Sequence, residues 1–283
     1  VGASAGDQHS LAVRNDGTVW SWGKTDFSKA GKAVALTLKP RKVALPGPAV
    51  GVACGNNACF VILADGTLWA WGENLQAQLG LGGRFEQIEP KRVPVPWPVV
   101  SVHPRRSNTF ALAADHSIWV WGDGAFGKSE VLLRRDKTRP TRLDTYSDWK
   151  ALSGGDAHAV GVRNDGTLWG VGENRKGQLG DGGRSDRRIA AQSGNARNWT
   201  LVSVQGNRSY GLTAEGDLYV WGDTIEGALG LAGLALKDAP VLLLPRRAWA
   251  SVVPGERFTI GVRRDGSVWT WGDNKDCLLY TSD

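Results

Sequence analysis

One sequence motif, here called the recurring phrase, occurs six times in this chain of 283 residues. An acidic residue is followed by Gly, or once by His, and then by a short run that closes on Trp-x-Trp-Gly or a near copy of it. The acidic residues are Asp16, Asp65, Asp115, Asp165, Glu215 and Asp265, spaced 49 residues apart once and 50 thereafter. A fixed period of this size is typical of repeat architectures, whose neighbouring units bury one another's apolar faces. We therefore predict the fold from the single unit and expect function on its loops.

The best-preserved unit, residues 149–183, predicts three short strands. Residues 151–153 and 159–162 are strand-like and are divided by a Gly-Gly-Asp turn signal. Asp165-Gly166 predicts a tight hairpin turn of a primed type, with positive φ, before a third strand at residues 167–171. That strand carries two bulky residues two positions apart, which project to one side, and we expect this side to pack against the next sheet.

We assign structural roles to these repeating positions. The second bulky position holds Trp22, Trp71, Trp121, Trp221 and Trp271, and the hairpin turns hold Asp16, Asp65, Asp165 and Asp265.

A Pro-containing stretch follows the third strand in most units, at Pro40, Pro90, Pro140 and Pro240. Proline is confined to edge strands and strand ends, so this stretch predicts an outer fourth strand. The fold class is therefore all-β: a propeller of four-stranded antiparallel blades. Residues 1–276 form one propeller domain, with repeats at about 1–48, 49–98, 99–148, 149–198, 199–248 and 249–276, the last incomplete.

Three motifs recur in the repeats: Gly-x-x-His-(Ser/Ala) at His9 and His158, the Asp-Gly-(Thr/Ser)-(Val/Leu)-Trp-x-Trp-Gly phrase, and Glu-Asn-x-x-Gly-Gln-Leu-Gly at residues 173–180. These motifs carry a resemblance to the regulator of chromosome condensation repeat family, in its bacterial type. It covers nearly the whole chain and implies a propeller of seven blades. The second and fifth units keep much of the last motif, whereas the first and third have lost it, so their loops should differ in shape.

Both ends of the chain lead us to expect a fragment. Val1 lies within a predicted first strand, and the sixth repeat stops before a fourth strand. Residues 277–283 replace the expected Gly-Gln-Leu-Gly motif and are similar to a translated sequencing adapter, so we interpret them as non-native. We expect roughly one further blade in the complete protein.

Composition and cysteine usage leave the compartment open. No apolar run is long enough to span a membrane. Cys54 and Cys59 flank the first turn of the second repeat and could form a disulfide, which would favour an oxidising compartment. Buried free thiols are the preferred interpretation. Location is otherwise unassigned, with an extracellular or envelope site preferred over the cytoplasm.

Strand direction sorts the loops into two faces. In alternating strands, the first-to-second turns and the third-to-fourth loops share one face, here called the loop face, while the Asp-Gly turns and inter-repeat linkers share the other, the hairpin face. We predict partner-binding residues on the loop face, because aromatic and Arg side chains dominate binding hot spots. These residues are Phe85, Arg105, Arg106, Phe126, Arg134, Arg135, Arg184, Arg208 and Arg257.

The preferred function is a non-enzymatic scaffold in a monomeric propeller, which presents one loop face to a partner protein as a regulator, adhesin or inhibitor would. The net charge of +6 makes an acidic partner conceivable. A first alternative is a propeller associated with nucleic acid or chromatin, whose Arg-rich loops bind phosphates; ordinary solvated loops explain the same charges. A second alternative is an accessory module of a larger enzyme.

We expect no catalytic residues, metal or cofactor within this chain. His9 and His158 occupy the same repeat position, which favours a structural hydrogen bond over a metal site. The periodic turn carboxylates are explained by their turns. The sequence has no Cys-x-x-Cys motif.

Overall fold

The computed structural model describes residues 2–24, 36–122, 138–224, 227–231, 235–244 and 248–273. Contacts group the chain into two compact units, Val1–Asp148 and Trp149–Asp283. Each unit holds three of the six repeats, and the division falls at the predicted boundary between the third and fourth repeats.

In the first unit each repeat forms one four-stranded antiparallel sheet in which the order of the strands follows the chain. The strands are β1 Gly2–Ala5, β2 His9–Val13, β3 Val19–Lys24 and β4 Leu36–Lys42; β5 Ala49–Cys54, β6 Ala58–Leu63, β7 Leu68–Gly72 and β8 Gln87–Arg92; β9 Val99–Pro104, β10 Asn108–Ala113, β11 Ile118–Gly122 and β12 Thr141–Arg142.

The second unit repeats this plan, with three strands in the described part of its last sheet. The strands are β13 Trp149–Gly154, β14 His158–Arg163, β15 Leu168–Gly172 and β16 Arg187–Gln192; β17 Trp199–Gln205, β18 Arg208–Thr213, β19 Leu218–Gly222 and β20 Lys237–Leu244; β21 Trp249–Pro254, β22 Phe258–Arg263 and β23 Val268–Gly272.

The predicted fourth strands are confirmed. Pro40, Pro90 and Pro240 lie within β4, β8 and β20, and Pro140 immediately precedes β12. Each of these strands pairs with the third strand of its own sheet and lies at the sheet edge, where a missing N–H is tolerated. The architecture is therefore all-β, built from the antiparallel blades of a β-propeller.

The Asp-Gly turns differ in type from the prediction. Arg14 N donates to Thr18 O and Gly17 N donates to Arg14 O, so three residues, not two, separate the paired strands. Only the third of them has positive φ: Gly17 at 76°, with His116 at 61° in the third repeat. This is a three-residue loop with one left-handed residue, and it therefore does not need the positive φ at Asp16 that a primed type I turn would require.

The rest of the recurring phrase is explained by a hydrogen-bond chain on five of the hairpins. Asp65 Oδ1 accepts from Thr67 N at 2.9 Å and from Thr67 Oγ1 at 2.7 Å, and Thr67 Oγ1 accepts from Trp69 Nε1 at 3.1 Å. Equivalent chains form at Asp16, Asp115, Asp165 and Asp265. The Thr or Ser hydrogen bonds hold the pKa of each of these carboxyl groups below its usual range. The predicted structural role of the turn aspartates is thereby given a mechanism.

The second Trp of the phrase packs between sheets, against the preceding sheet, in the second, third, fifth and sixth repeats. Trp121 is fully buried among Phe60, Ile62 and Leu79 of the second repeat, and Trp71 and Trp221 have equivalent places. Trp22 and Trp271 are half-buried. Trp121 Nε1 donates to Gln78 O at 2.8 Å, as Trp221 Nε1 does to Gln178 O at 2.9 Å. In the second and fourth repeats, the loop that carries Gln-Leu-Gly therefore holds the Trp of the following repeat in place.

Candidate functional site

The loop face of the first unit contains a polar cleft of about 520 Å³. Its lining comes from the first-to-second turns of three successive repeats and from the third-to-fourth loop of the second: Asp7, Asn56, Asn57, Glu73, Gln76, Arg106 and Ser107. The two kinds of loop therefore meet on one face, as strand alternation predicts.

Amide groups order the walls of this cleft. Asn56 Nδ2 donates to both carboxylate oxygens of Asp7 at 3.1 Å, and Asn57 Nδ2 donates to Glu73 Oε2 at 2.9 Å. Backbone hydrogen bonds run alongside, from Asp7 N to Asn56 O and from Glu73 N to Asn57 O. The turns of adjacent repeats are thus held to one another, and the cleft is a preformed surface.

The long loop beside the cleft is held by two buried amide side chains. Asn74 is 1% exposed; its Nδ2 donates to Gly83 O and its Oδ1 accepts from Leu79 N, both at 2.9 Å. Gln78, also buried, accepts from Gln76 N through Oε1. A loop anchored at several points along its length is a rigid one, so the side chains it directs outward are displayed in a fixed position.

Several large apolar side chains are exposed on this loop and on the strand that follows it. Phe85 is 86% exposed and Leu75 is 51% exposed, and Ile88 follows in β8 with 61% exposed. Single exposed apolar residues are ordinary, but here three lie within fourteen residues of sequence, on the anchored loop and the strand after it, and Leu75 precedes the cleft residue Gln76. These three side chains are here called the apolar patch. The equivalent loop of the fourth repeat has Arg175 and Ser185 in place of Leu75 and Phe85. The apolar character therefore belongs to this repeat and is not required by the loop fold.

The predicted arginines differ in exposure and in their contacts. Arg106 is exposed and lines the cleft, while Arg105 is half-buried, with its backbone N–H bonded to Asn108 O. Arg184 and Arg257 are exposed and lie 3.5 Å from Asp238 and 3.9 Å from Asp273, respectively. Phe126, Arg134 and Arg135 lie outside the described residues.

Arg208 departs from the expected exposed position. Its side chain is 8% exposed, and Nη2 donates to the carbonyl of Glu256 in the first turn of the following repeat. It occupies the repeat position of His9 and His158, where the chain places groups that contact the next sheet. This burial argues against Arg208 as a partner contact and favours a structural role.

A second cavity, of about 550 Å³, lies on the hairpin face of the first repeat. It is lined by residues 16–19 and 42–48 without 46, mostly small or apolar. The Asp16 carboxylate there already accepts two hydrogen bonds from Thr18. This cavity offers little beyond backbone and a turn, so the loop face remains the candidate site.

One cluster was missed by the sequence reasoning: His9, Cys54 and Cys59 converge, with the sulfurs 3.9 Å apart. Both cysteines are free thiols in this structure. The sequence placed the two cysteines on either side of a turn and favoured free thiols over a disulfide, which the structure confirms, but the approach of His9 from another sheet could not be read from spacing. Across the described part of the chain, no helix has the length and apolar character needed to cross a bilayer.

Sequence and structure comparisons agree on the family. The profile of the regulator of chromosome condensation (RCC1) repeat matches residues 1–28, 49–78, 149–178 and 249–276, and a second profile of that repeat matches residues 65–112. Together they cover more than half of the chain. Comparison with curated proteins gives no match.

Solved structures resemble the whole chain. Human WBSCR16 has a TM-score of 0.82 at 19% identity, over 93% of this chain and 72% of that one. Yeast RCC1 (Prp20) bound to Kap60 gives 0.82 at 20% identity, over 97% and 70%. Prp20p from Saccharomyces cerevisiae, described with its binding properties to Gsp1p and histones, gives 0.80 at 21% identity, over 95% and 71%. Such identities establish fold alone. With the repeat profiles matched, the chain belongs to the regulator of chromosome condensation repeat family.

Proposed function

We propose that this protein is a non-enzymatic scaffold that binds a partner protein through the loop face of its second repeat. The observation that carries the proposal is the anchored loop that displays Leu75 and Phe85 beside a preformed polar cleft. Prp20, which shares this fold, is described as bound to Kap60 and by its binding properties to Gsp1p and histones, which supports a protein partner here.

The patch has the anatomy of a binding hot spot. Large apolar side chains supply most of the affinity when a partner covers them, and a surrounding polar rim excludes water and sets the register. Here Phe85 supplies the aromatic group and Arg106 a cation, while the Asn-held carboxylates of Asp7 and Glu73 supply acceptors. Because the loop is already ordered, little conformational entropy is lost on binding.

The cleft supports binding better than catalysis. Its carboxylates are used by Asn56 and Asn57 to hold the turns together. General acid-base work needs titratable groups directed at a reacting atom, and the two carboxylates of the cleft are directed at amide groups.

Phosphate recognition is less well supported. Arg184 and Arg257 face carboxylates at 3.5 and 3.9 Å, and Arg187 lies 2.7 Å from Asp181. Arginines that face Asp side chains offer less charge to a polyanion. Nucleic-acid binding through Arg134 and Arg135 is kept as the second candidate, since those residues were predicted to serve it. It predicts affinity that falls steeply with salt and is abolished by Arg134→Glu with Arg135→Glu; a flat salt response would remove it.

The test replaces exposed residues of the second repeat by the residues at the equivalent positions of the fourth repeat. Phe85→Ser and Leu75→Arg introduce the residues that the fourth repeat has at these positions, so the loop fold should tolerate them. Val50→Ser is the matched control, because Val50 is 65% exposed at the start of β5, near the hairpin face. A partner captured by the parent protein is identified and purified, and its Kd is measured against each variant.

The two loop-face substitutions should each weaken binding by about 30-fold, the value of a typical hot-spot side chain, and Val50→Ser should leave the Kd unchanged. Equal affinities for the parent and both loop variants would place the binding site elsewhere.

A further inference from the structure

Three metal-ligating side chains meet where the first and second sheets touch, within the first unit. His9 comes from β2, Cys54 from β5 and Cys59 from β6, and their ligand atoms all lie within 4.8 Å of one another. His9 and Cys59 are buried, at 5% and 1% exposed, and Cys54 is half-buried. The cluster therefore has one partly open side.

The backbone places the two sulfurs together. Cys54 and Cys59 are cross-strand partners next to the two-residue turn that Gly55 N closes on Ala58 O. Cys54 N donates to Ser4 Oγ at 2.9 Å and so does not bond across to Cys59. Cross-strand pairs without mutual hydrogen bonds bring their side chains closest, which accounts for the sulfur separation of 3.9 Å.

His9 is brought to the sulfurs by close packing of the two turns. A Cβ at Gly6 would clash with both the His9 ring and Gly55 O, so the absence of a side chain there is what admits the ring. The same Ser4 hydrogen bond that fixes Cys54 ties β5 to the first sheet. The three ligands are thus held by two sheets, not by one flexible loop.

The second unit contains the same scaffold without the thiols. Val204 N donates to Ser153 Oγ at 3.0 Å, the equivalent of the Cys54–Ser4 bond. His158 stands where His9 does, and its Nε2 lies 3.3 Å from Ser209 Oγ. Val204 and Ser209 occupy the positions of Cys54 and Cys59. A structural histidine needs neither sulfur, so the two thiols are an addition specific to the first pair of repeats.

We propose that His9, Cys54 and Cys59 bind a single Zn²⁺ ion that joins the first and second repeats. Two thiolates at the usual Zn–S distance of about 2.3 Å in a tetrahedral site lie about 3.8 Å apart, close to the separation observed here. Imidazole nitrogen is the common third ligand for such a site, and water or an exogenous group completes the tetrahedron on the open side of Cys54.

Charge favours a divalent ion. Two thiolates and a neutral imidazole neutralise Zn²⁺ fully, whereas a monovalent ion would leave a net negative charge in a mostly buried place. Binding releases the two thiol protons to solvent.

The experiment titrates the reduced full chain with Co²⁺ and then Zn²⁺. Cys277→Ser is the parent background, so that a third thiol adds no signal. We expect one equivalent of Co²⁺ with a thiolate-to-metal charge-transfer band, displaced by one equivalent of Zn²⁺, and a higher Tm with zinc than with a chelator.

Cys54→Val with Cys59→Ser copies the residues of the fifth repeat, so this variant should fold and should lose both the band and the zinc-dependent rise in Tm. His158→Gln, at the scaffold without thiols, should keep both. Absence of the band in the reduced parent, or equal metal binding by the double variant, would overturn the site. A Cys54–Cys59 disulfide that persists under reductant and blocks the metal would overturn it equally, in favour of a structural disulfide.

Discussion

Replacing Gly180 by Ala should destabilise the protein well beyond what its backbone conformation costs. Gly180 has φ of 71°, and a Cβ there would lie 2.8 Å from Trp221 Nε1, 3.0 Å from Cδ1 and 3.1 Å from Cε2. Trp221 is fully buried and donates to Gln178 O, so its ring cannot withdraw freely. Gly182 is a matched control two residues away: its φ is 78°, and nothing lies within 4 Å of the place that an Ala methyl group would take.

The two substitutions share one energetic cost and differ in another. An L-residue in the left-handed region costs about 1–2 kcal/mol, which both variants incur. Overpacking against a fixed core side chain adds about 1–3 kcal/mol, which only Gly180→Ala incurs. We therefore expect Gly182→Ala to lose about 1–2 kcal/mol of unfolding free energy and Gly180→Ala to lose about 2–5 kcal/mol.

Urea denaturation followed by Trp fluorescence measures both losses in the full chain. Trp221→Phe in the Gly180→Ala background removes one of the clashing atoms, so the double variant should lose less than the sum of the single losses. Equal losses of unfolding free energy for the two Gly variants would mean that the Gly-Gln-Leu-Gly loop does not pack closely against the Trp of the next repeat.

Three further predictions concern other contacts. Asn74→Ala leaves Leu79 N and Gly83 O without their partner, so it should lower the unfolding free energy by about 2–3 kcal/mol and weaken partner binding, measured by urea denaturation and Kd; unchanged values in both would show that the loop is held otherwise. Arg208→Ala should lower the free energy of unfolding by about 1–3 kcal/mol, because the carbonyl of Glu256 loses a charged donor; a stability loss near zero would restore Arg208 as a surface residue. The hairpin carboxyl groups have lowered pKa values in the folded protein, so their ionised forms stabilise the fold above the ordinary Asp pKa. This stabilisation is lost as the pH falls through the lowered pKa values of the folded state. Tm should therefore fall from about pH 5 downward, and it should fall less in Asp165→Asn.

The repeat unit was predictable because its signals are local. Alternating residues, the Asp-Gly turns and the edge prolines indicated the four-stranded sheets, since strand period and turn chemistry act over a few residues. The turn type was wrong because Asp-Gly fits both a two-residue primed turn and the third-residue glycine of a longer loop, and only the pairing of Arg14 with Thr18 distinguishes them. The direction in which Trp121 packs depends on the handedness of contact between sheets, which a single strand does not encode.

The candidate site was predictable in part. Phe85 and Arg106 lie on the loop face, as strand parity requires, whereas Arg208 is buried because its repeat position contacts the neighbouring sheet. Leu75 was not among the predicted binding residues, because the sequence does not show whether an apolar residue in a loop is exposed. Its exposure became clear only once the structure showed that the adjacent Asn74 is buried. The His9–Cys54–Cys59 cluster needed contacts between sheets. The seven-bladed ring, the compartment, and the roles of Phe126, Arg134 and Arg135 stay predictions.

Footprinting of the captured complex would show directly whether the loop face of the second repeat binds a protein. Hydroxyl radicals would label the free protein and the complex, and the modified side chains would be mapped by mass spectrometry. We predict that Leu75 and Phe85 lose reactivity in the complex while Val50 keeps it. Protection of Val50 and the hairpin face, with Leu75 and Phe85 still reactive, would contradict binding through the loop face.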